Sequence, residues 1–146
     1  MFLPLLGVSG GADNRQMIFY HATLGSPADG ATVYSASFSG ASGTSTNRQK
    51  IICQITGDIV QFWVAVGVGG TLGSSENVVM DLQVDGVDSG LTITTQFDSA
   101  DKAPIFTTGR VAVTAGQLLG IESACPTWTT NPTNSQFDWG VRIIPT

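Results

Sequence analysis

The stretch Asn77-Val-Val-Met-Asp-Leu-Gln-Val-Asp-Gly-Val-Asp-Ser-Gly-Leu-Thr-Ile-Thr-Thr95 decides the fold class. Its first half alternates between apolar and polar side chains, the period of two that a strand with one buried face produces. The apolar set is Val78, Met80, Leu82 and Val84. Asp85-Gly86 then supplies a strong signal for a hairpin turn, and a second alternating run, 91–95, follows it. The stretch is therefore predicted to be a β-hairpin with one face in a core.

The same period of two recurs on both sides of this hairpin. In the run 59–68 the side chains predicted to face a core are Val60, Phe62, Val64, Val66 and Val68. In the run 136–144 they are Phe137, Trp139, Val141 and Ile143. Other candidate strands are 17–24, 31–38, 48–56, 105–113 and 118–123. Because turn-forming residues separate these runs, the sequence predicts eight or nine strands in an antiparallel sandwich or barrel.

The composition agrees with an all-β domain. Charged residues make up 12% of the chain, whereas Gly, Ser, Thr and Val are frequent. Long helices lean on Glu, Lys, Arg and Ala, while β-branched residues fit a pleated, half-buried surface. The 146 residues suffice for one domain with a two-layer core. We expect an N-terminal arm over residues 1–16 and a single sandwich domain over residues 17–146.

The charge and hydropathy of the chain argue against two classes of partner. The formal net charge is −5, with only six Lys and Arg and no basic cluster. A protein that grips a nucleic-acid backbone needs several cations on one face. No stretch approaches the roughly 20 apolar residues that a membrane-spanning helix needs, and residues 1–6 lack the basic segment of a secretory signal. We therefore expect a soluble protein with no nucleic-acid partner and no membrane partner.

The sequence offers few residues for catalysis. His21 is the single histidine, so a triad would have one possible base, and no Gly-x-Ser-x-Gly elbow stands between a strand and a helix. Cys53 and Cys125 are far apart in sequence and lack the paired spacing of a zinc site. They are either buried thiols or a disulfide pair, a choice that their spacing leaves open. We expect the chain not to be an enzyme.

Five aspartates between residues 81 and 101 raise the question of calcium. Asp81 and Asp85-Gly86 match part of an EF-hand loop, but the third position is Gln83 and the twelfth is Thr92 rather than Glu. Aspartates in β-turns commonly accept hydrogen bonds from their own backbone. We therefore predict no bound metal and no cofactor.

Two tryptophans are candidate contact residues. Trp63 lies on the face of its run opposite the aliphatic row, where it would suit a subunit interface. Trp128 lies in a loop between Pro126 and Pro132, where an exposed ring would suit a partner. Both are predicted to take part in partner binding.

The quoted hairpin and a later segment together resemble a known family. The hairpin turn reads Val84-Asp-Gly-Val87, and Val111-Ala-Val-Thr-Ala-Gly116 leads into a further strand. These motifs resemble those of jelly-roll domains of the C1q and tumour-necrosis-factor type, although Gln117 stands where that family usually has Asp. The resemblance covers residues 77–123 and implies a jelly-roll β-sandwich that trimerises and has a structural or adhesive role.

Bacteria and tailed phages use similar domains at fibre tips and on capsid surfaces. A lone sandwich with a terminal arm and no fibre shaft resembles phage cement, or decoration, proteins. From this resemblance we expect a homotrimer that binds the major capsid protein, stabilises the virion surface and is assembled in the host cytoplasm. The apolar side chains of the arm that are predicted to act as anchors are Phe2, Leu3, Leu5 and Leu6.

Two other functions stay open. A receptor- or carbohydrate-binding knob would need an exposed polar and aromatic pocket, for which Trp128, Asn131 and Asn134 are the candidates. A small hydrolase on a sandwich scaffold would need His21 and a carboxylate in one cleft.

Overall fold

The computed structural model describes residues 16–35 and 50–146 of the chain. Within these ranges it contains nine strands and no helix, which confirms the predicted all-β class. The strands are β1 (Gln16–Gly25), β2 (Thr32–Ser35), β3 (Ile51–Ile52), β4 (Gly57–Val68), β5 (Val78–Val84), β6 (Val87–Thr95), β7 (Ile105–Val113), β8 (Leu118–Ala124) and β9 (Ser135–Pro145). Of the predicted arm, only Gln16 lies among the described residues, where it begins β1.

The strands form two antiparallel sheets that pack face to face. One sheet has the order β1-β9-β4-β7, and the other has the order β2-β8-β5-β6. Strand β3 also pairs with β8. It lies along the same edge of β8 as β2 and pairs with the beginning of β8, whereas β2 pairs with the rest. With β2 and β3 sharing one position, each sheet has four positions, and the connections cross between the sheets as in a jelly roll. The predicted sandwich is therefore confirmed, and the barrel is excluded.

The core fills the space between the two sheets. The alternation predicted for β9 is confirmed, since its four inward side chains are all buried. The largest fully buried side chains come from both sheets and from the β6–β7 connection; they include Trp139, Phe62, Phe97, Phe137, Met80 and Leu119. Residues of this size in a core are worth several kcal/mol each, roughly 3–5 for an aromatic ring.

Strand β4 departs from the predicted alternation at one position. Ile59 is 0% exposed and faces the core, whereas Val60, which the sequence pattern assigned to the core face, is only partly buried. The pairing with β9 explains the difference, because Ile59 pairs with Ile143 and Gln61 pairs with the adjacent Arg142. Val60 is therefore the extra residue of a β-bulge, which shifts the alternation by one residue.

The two ends of the sandwich differ in their connections. The turn end carries the short connections 53–56, 85–86 and 114–117. The loop end carries the longer connections 26–31, 69–77, 96–104 and 125–134. Because β1 begins beside Ile143 near the end of β9, Gln16 lies at the turn end.

At the turn end, Asp85 joins the quoted hairpin to the start of β8. Its carboxylate accepts hydrogen bonds from the Leu118 N–H and the Gln117 side-chain amide, both at 2.8 Å. These bonds lower the pKa of Asp85, the Leu118 bond most, with a smaller contribution from the charge of Lys50. The other amide atom of Gln117 accepts a bond from the Thr114 N–H at 2.7 Å. An Asp side chain at position 117 would have no N–H to donate to Asp85, which gives a physical reason for Gln at this position.

At the loop end, Trp128 is 6% exposed and packs with the core. Its backbone N–H donates to the Asp29 carboxylate at 3.0 Å, and the next residue, Thr129, donates its N–H to Glu76 at 3.0 Å. Hydrogen bonds from the Ser74 and Thr129 side chains are the main reason that the pKa of Glu76 falls to about 2. These contacts tie connection 125–134 to the two neighbouring connections and place the Trp128 ring under them.

Candidate functional site

An aromatic row crosses the outer face of the four-stranded sheet. Phe19 on β1 pairs with Gly140 on β9, Gly140 pairs with Trp63 on β4, and Trp63 pairs with Phe106 on β7. All four positions lie on one transverse line and point away from the core. Phe19, Trp63 and Phe106 are called the aromatic row below.

Gly140 allows the row to close over β9. A Cβ atom at this position would lie 2.3 Å from the Ile18 carbonyl oxygen and 2.6 Å from Trp63 Nε1, so any larger residue would clash. The Trp63 ring therefore lies over β9 and meets the Phe19 ring, with a centroid distance of 5.6 Å and an interplanar angle of 58°. This tilted geometry is favourable for aromatic pairs.

The outer members of the row are left uncovered. Trp63 is 9% exposed, but Phe19 is 49% exposed and Phe106 is 56% exposed. Two further exposed side chains, Met17 and Ile144, lie on the same face towards the turn end. Together these five residues form what we call the outer apolar face. Exposed apolar patches of this kind mark interaction sites more often than isolated surface residues do.

Charged groups flank the outer apolar face on both sides. Towards the loop end, His21 Nδ1 lies 2.7 Å from Asp138 Oδ1. Towards the turn end, Arg110 donates to Asp58 through Nε at 3.0 Å and through a terminal nitrogen at 2.6 Å. Arg142, on β9, also points outward on this side, and its side chain is partly exposed. The aromatic row therefore has the His21–Asp138 pair on its loop-end side, and the Arg110–Asp58 pair and the Arg142 side chain on its turn-end side.

A small open cavity lies on the loop-end side of the aromatic row. Its volume is about 100 Å³. The small residues Ala65 and Gly67 of β4 form part of its lining. The polar side chains around it are those of His21, Gln136, Asp138, Asp101 and Lys102. Gly67 lets the β6–β7 connection approach, because a Cβ atom at this position would lie 2.9 Å from the Ala100 carbonyl oxygen. That oxygen accepts a hydrogen bond from the Val68 N–H at 3.0 Å.

The cavity bears on the hydrolase alternative. The structure does bring His21 and a carboxylate together there, and an aspartate beside one ring nitrogen can orient an imidazole as in catalytic triads. Within residues 16–35 and 50–146, no Ser, Thr or Cys side chain that could serve as a nucleophile lines the cavity. Among the described residues, no cluster of three or more His, Cys, Asp or Glu side chains could hold a metal ion.

The outer face of the other sheet has a different character. Its central row is Tyr34, Glu122, Asp81 and Thr92, from four neighbouring strands. Glu122 and Asp81 are directly opposite each other, an arrangement that destabilises a sheet. Thr92 donates its hydroxyl to Asp81 at 2.5 Å. Burial is the main reason that the pKa of Tyr34 is raised. The negative charge of Glu122 and a hydrogen bond to Glu122 raise this pKa further.

The residues predicted from sequence fall in three different places. Trp63 is at the centre of the aromatic row, on the face opposite the core, as the alternation indicated. Trp128 is in the interior of the loop end, so the exposure that its loop position suggested is not found. The arm residues Phe2, Leu3, Leu5 and Leu6 lie outside the described residues.

The two cysteines are buried free thiols. Cys53 donates its N–H to the Gln117 carbonyl before β8 begins, and Cys125 donates its N–H to the Ala31 carbonyl after β8 ends. At about 3.3 Å per residue, the two positions are roughly 25 Å apart, whereas a disulfide needs Cα atoms within about 7 Å. The disulfide pairing left open by the sequence is therefore excluded. Burial raises the pKa of Cys125 to about 11.

Of the outer apolar face, sequence reasoning singled out Trp63 alone; it missed Phe19, Phe106, Met17 and Ile144, and also Gly140 beneath the Trp63 ring. Phe19, Phe106 and Gly140 belong to strands that are distant in sequence, and only the strand register aligns them with Trp63. A local signal did exist, because each Phe stands at an outward position of an alternating run.

Comparison with known proteins adds no relative, since no family model and no curated protein matches the chain. Within the part of the chain that the structure describes, no helix is long and apolar enough to span a membrane.

Proposed function

We propose that the chain is a structural protein of a phage particle, a homotrimer that decorates the capsid surface and binds the major capsid protein. Assembly would take place in the host cytoplasm. The observation that carries this proposal is the outer apolar face, with half-exposed Phe19 and Phe106 on either side of Trp63. A second copy of the chain is the partner that would cover it in a homotrimer.

The size of the exposed aromatic surface supports association. An aromatic side chain buries 150–250 Å² when fully covered, so covering the exposed half of each Phe ring is worth about 2–3 kcal/mol. Loss of translational and rotational freedom opposes association, and Met17 and Ile144 add apolar area on the same face. A closed, symmetric homo-oligomer repeats this gain at each interface.

The end of the sandwich at which β1 begins supports attachment through the arm. Gln16 begins β1 at the turn end, and residues 1–15 precede it in the sequence. In this proposal the turn end faces the capsid, and the loop end faces outward. A trimer would present three arms at once, and each modest contact gains from the effective concentration that the other two supply.

The fold gives weaker support. Jelly rolls occur in viral capsid proteins and in lectins, so the topology agrees with a virion protein without specifying one. The carbohydrate-binding alternative relied on an exposed Trp128. Because that ring is buried at the loop end, the geometry gives the alternative less support.

The proposal is tested with undecorated capsids of the phage that encodes the chain. Two forms are compared, the full chain and residues 16–146, which retain the whole of β1. Each form is first sized by light scattering after size exclusion and is then sedimented with capsids. We expect both forms to be trimers, and only the full chain to sediment with the particles.

Two outcomes contradict the proposal. A full-length chain that stays monomeric leaves the outer apolar face without its expected partner. A trimer that ignores capsids removes the decoration role, and a screen against glycans then tests the knob alternative.

A further inference from the structure

The cavity beside the aromatic row carries negative charge that the described residues do not balance. Lys102 lies 2.6 Å from Asp98, so its charge is already paired. Asp101 and Asp138 line the cavity from opposite sides, one from the β6–β7 connection and the other from β9. His21, hydrogen-bonded to Asp138, holds that carboxylate in position. We call this site the acidic cavity.

The size of the acidic cavity favours a single functional group over a free ligand. Its volume is about 100 Å³, whereas pockets for small molecules usually measure about 300–1,000 Å³. A cavity of this size suits the planar head of one arginine. A guanidinium group also matches carboxylates through its fixed fork of donors.

Arg142 is the basic residue that fits this site best. Among the described cations, Lys102 pairs with Asp98 and Arg110 pairs with Asp58. Lys50 lies at the turn end, where it acts on Asp85. Arg142 forms no ion pair with the described carboxylates and points outward on the same face as the acidic cavity.

Arg142 is poorly placed to fill the cavity of its own chain. On β9 it is four residues from Asp138, about 13 Å along a strand. Gly140 lies between them, and the Trp63 ring covers Gly140. The direct line between the two side chains is therefore blocked within one chain.

We infer that the acidic cavity of one copy receives the Arg142 guanidinium of a neighbouring copy. This inference rests on the proposed homotrimer and adds to it the register of the interface. A contact between two different patches of the same face is heterologous, the type that closes into a ring when the rotation allows. Charge complementarity of this kind fixes the register of an interface and excludes wrong ones.

The test is a double-mutant cycle on the full chain, with Arg142→Gln and Asp101→Asn made singly and together. Asp101 is chosen because Asp138 also binds His21. Trimer dissociation is measured by sedimentation equilibrium. A urea denaturation curve of each variant confirms that it is folded. Arg110→Gln is the matched control, since Arg110 is on the same face but is paired with Asp58 of its own chain.

We expect Arg142→Gln to weaken each interface about tenfold, and the double variant to be no weaker than that single variant. Arg110→Gln should have a smaller effect. The charge swap Arg142→Glu with Asp101→Lys should recover association that Arg142→Glu alone loses. If the wild-type chain forms trimers but the effects of Arg142→Gln and Asp101→Asn on trimer dissociation are additive, this inference is overturned, whereas the proposed homotrimer is not. A wild-type chain that is monomeric at every concentration overturns both.

Discussion

The two outer faces of the sandwich are built from the same strand geometry but present opposite surfaces. On the four-stranded sheet, the transverse row is aromatic and its outer rings are half exposed. On the other sheet, the corresponding row is polar and places Glu122 beside Asp81. A face that lies permanently in water tolerates carboxylates, whereas exposed rings at positions that could carry polar residues indicate a covering partner. In the proposed homotrimer, association therefore involves the first face and leaves the second in solvent.

The proposed difference between the two faces is tested most directly by placing the same charge on each face. We expect Phe19→Asp with Phe106→Asp to weaken association at least about a hundredfold, because both rings are lost from the interface and two carboxylates must be buried. The matched control is Thr32→Asp with Thr94→Asp, on the two edge strands of the other sheet in one transverse row. Light scattering over a dilution series measures both. Equal effects on the two faces would contradict the assignment.

The second largest effect is expected from Gly140→Ala. The added Cβ would meet the Ile18 backbone and the Trp63 ring, so the free energy of unfolding should fall by roughly 2 kcal/mol. Urea denaturation measures it, with Ala112→Ser, an exposed position on β7, as a control that changes stability little. If Gly140→Ala is as mild as the control, the Trp63 ring does not lie over β9.

The polar face yields a stabilising substitution. Glu122→Gln removes the repulsion from Asp81 while keeping an acceptor for Tyr34, so stability should rise by up to about 1 kcal/mol. The control is Asp88→Asn on the neighbouring strand, because Asp88 stands opposite Gln83 and not another acid. Urea denaturation at neutral pH compares the two. A loss of stability in Glu122→Gln would show that a bound cation or basic group compensates the pair.

The smallest effect concerns alkaline pH. Because burial and Glu122 raise the pKa of Tyr34 above 10.0, the folded state holds the phenolic proton more tightly than the unfolded state does. Stability from this group is complete below pH 10 and is lost as the pH rises through the folded pKa. Tyr34→Phe should therefore flatten the decline of stability above about pH 10. An unchanged alkaline limb would contradict the raised pKa of Tyr34.

The fold could be predicted from sequence because its signals are local. Alternation in β9 and the Asp85-Gly86 turn each specify a strand or a hairpin without reference to distant residues. The failure at Val60 has a physical reason, since a bulge changes the period of two by one residue without any change in composition. Chain topology, in contrast, came from the resemblance and not from these patterns.

Much less of the candidate site could be predicted. Trp63 stood out because it lies opposite the aliphatic row of its run. Phe19 becomes its neighbour only across β9, and Phe106 only through the pairing of β4 with β7. Trp128 looked exposed because its loop is rich in turn-forming residues, yet hydrogen bonds from the Trp128 N–H to Asp29 and from the Thr129 N–H to Glu76 hold that loop over the ring. Contacts between distant segments decided both cases.

The most direct test of the account is the mass of the wild-type chain by sedimentation equilibrium at micromolar concentration. We expect a particle with three times the 15.2 kDa mass of the chain, which dissociates on dilution with a constant that the double Phe substitution shifts. A single species of 15.2 kDa at all concentrations would mean that the outer apolar face is not covered by copies of the chain.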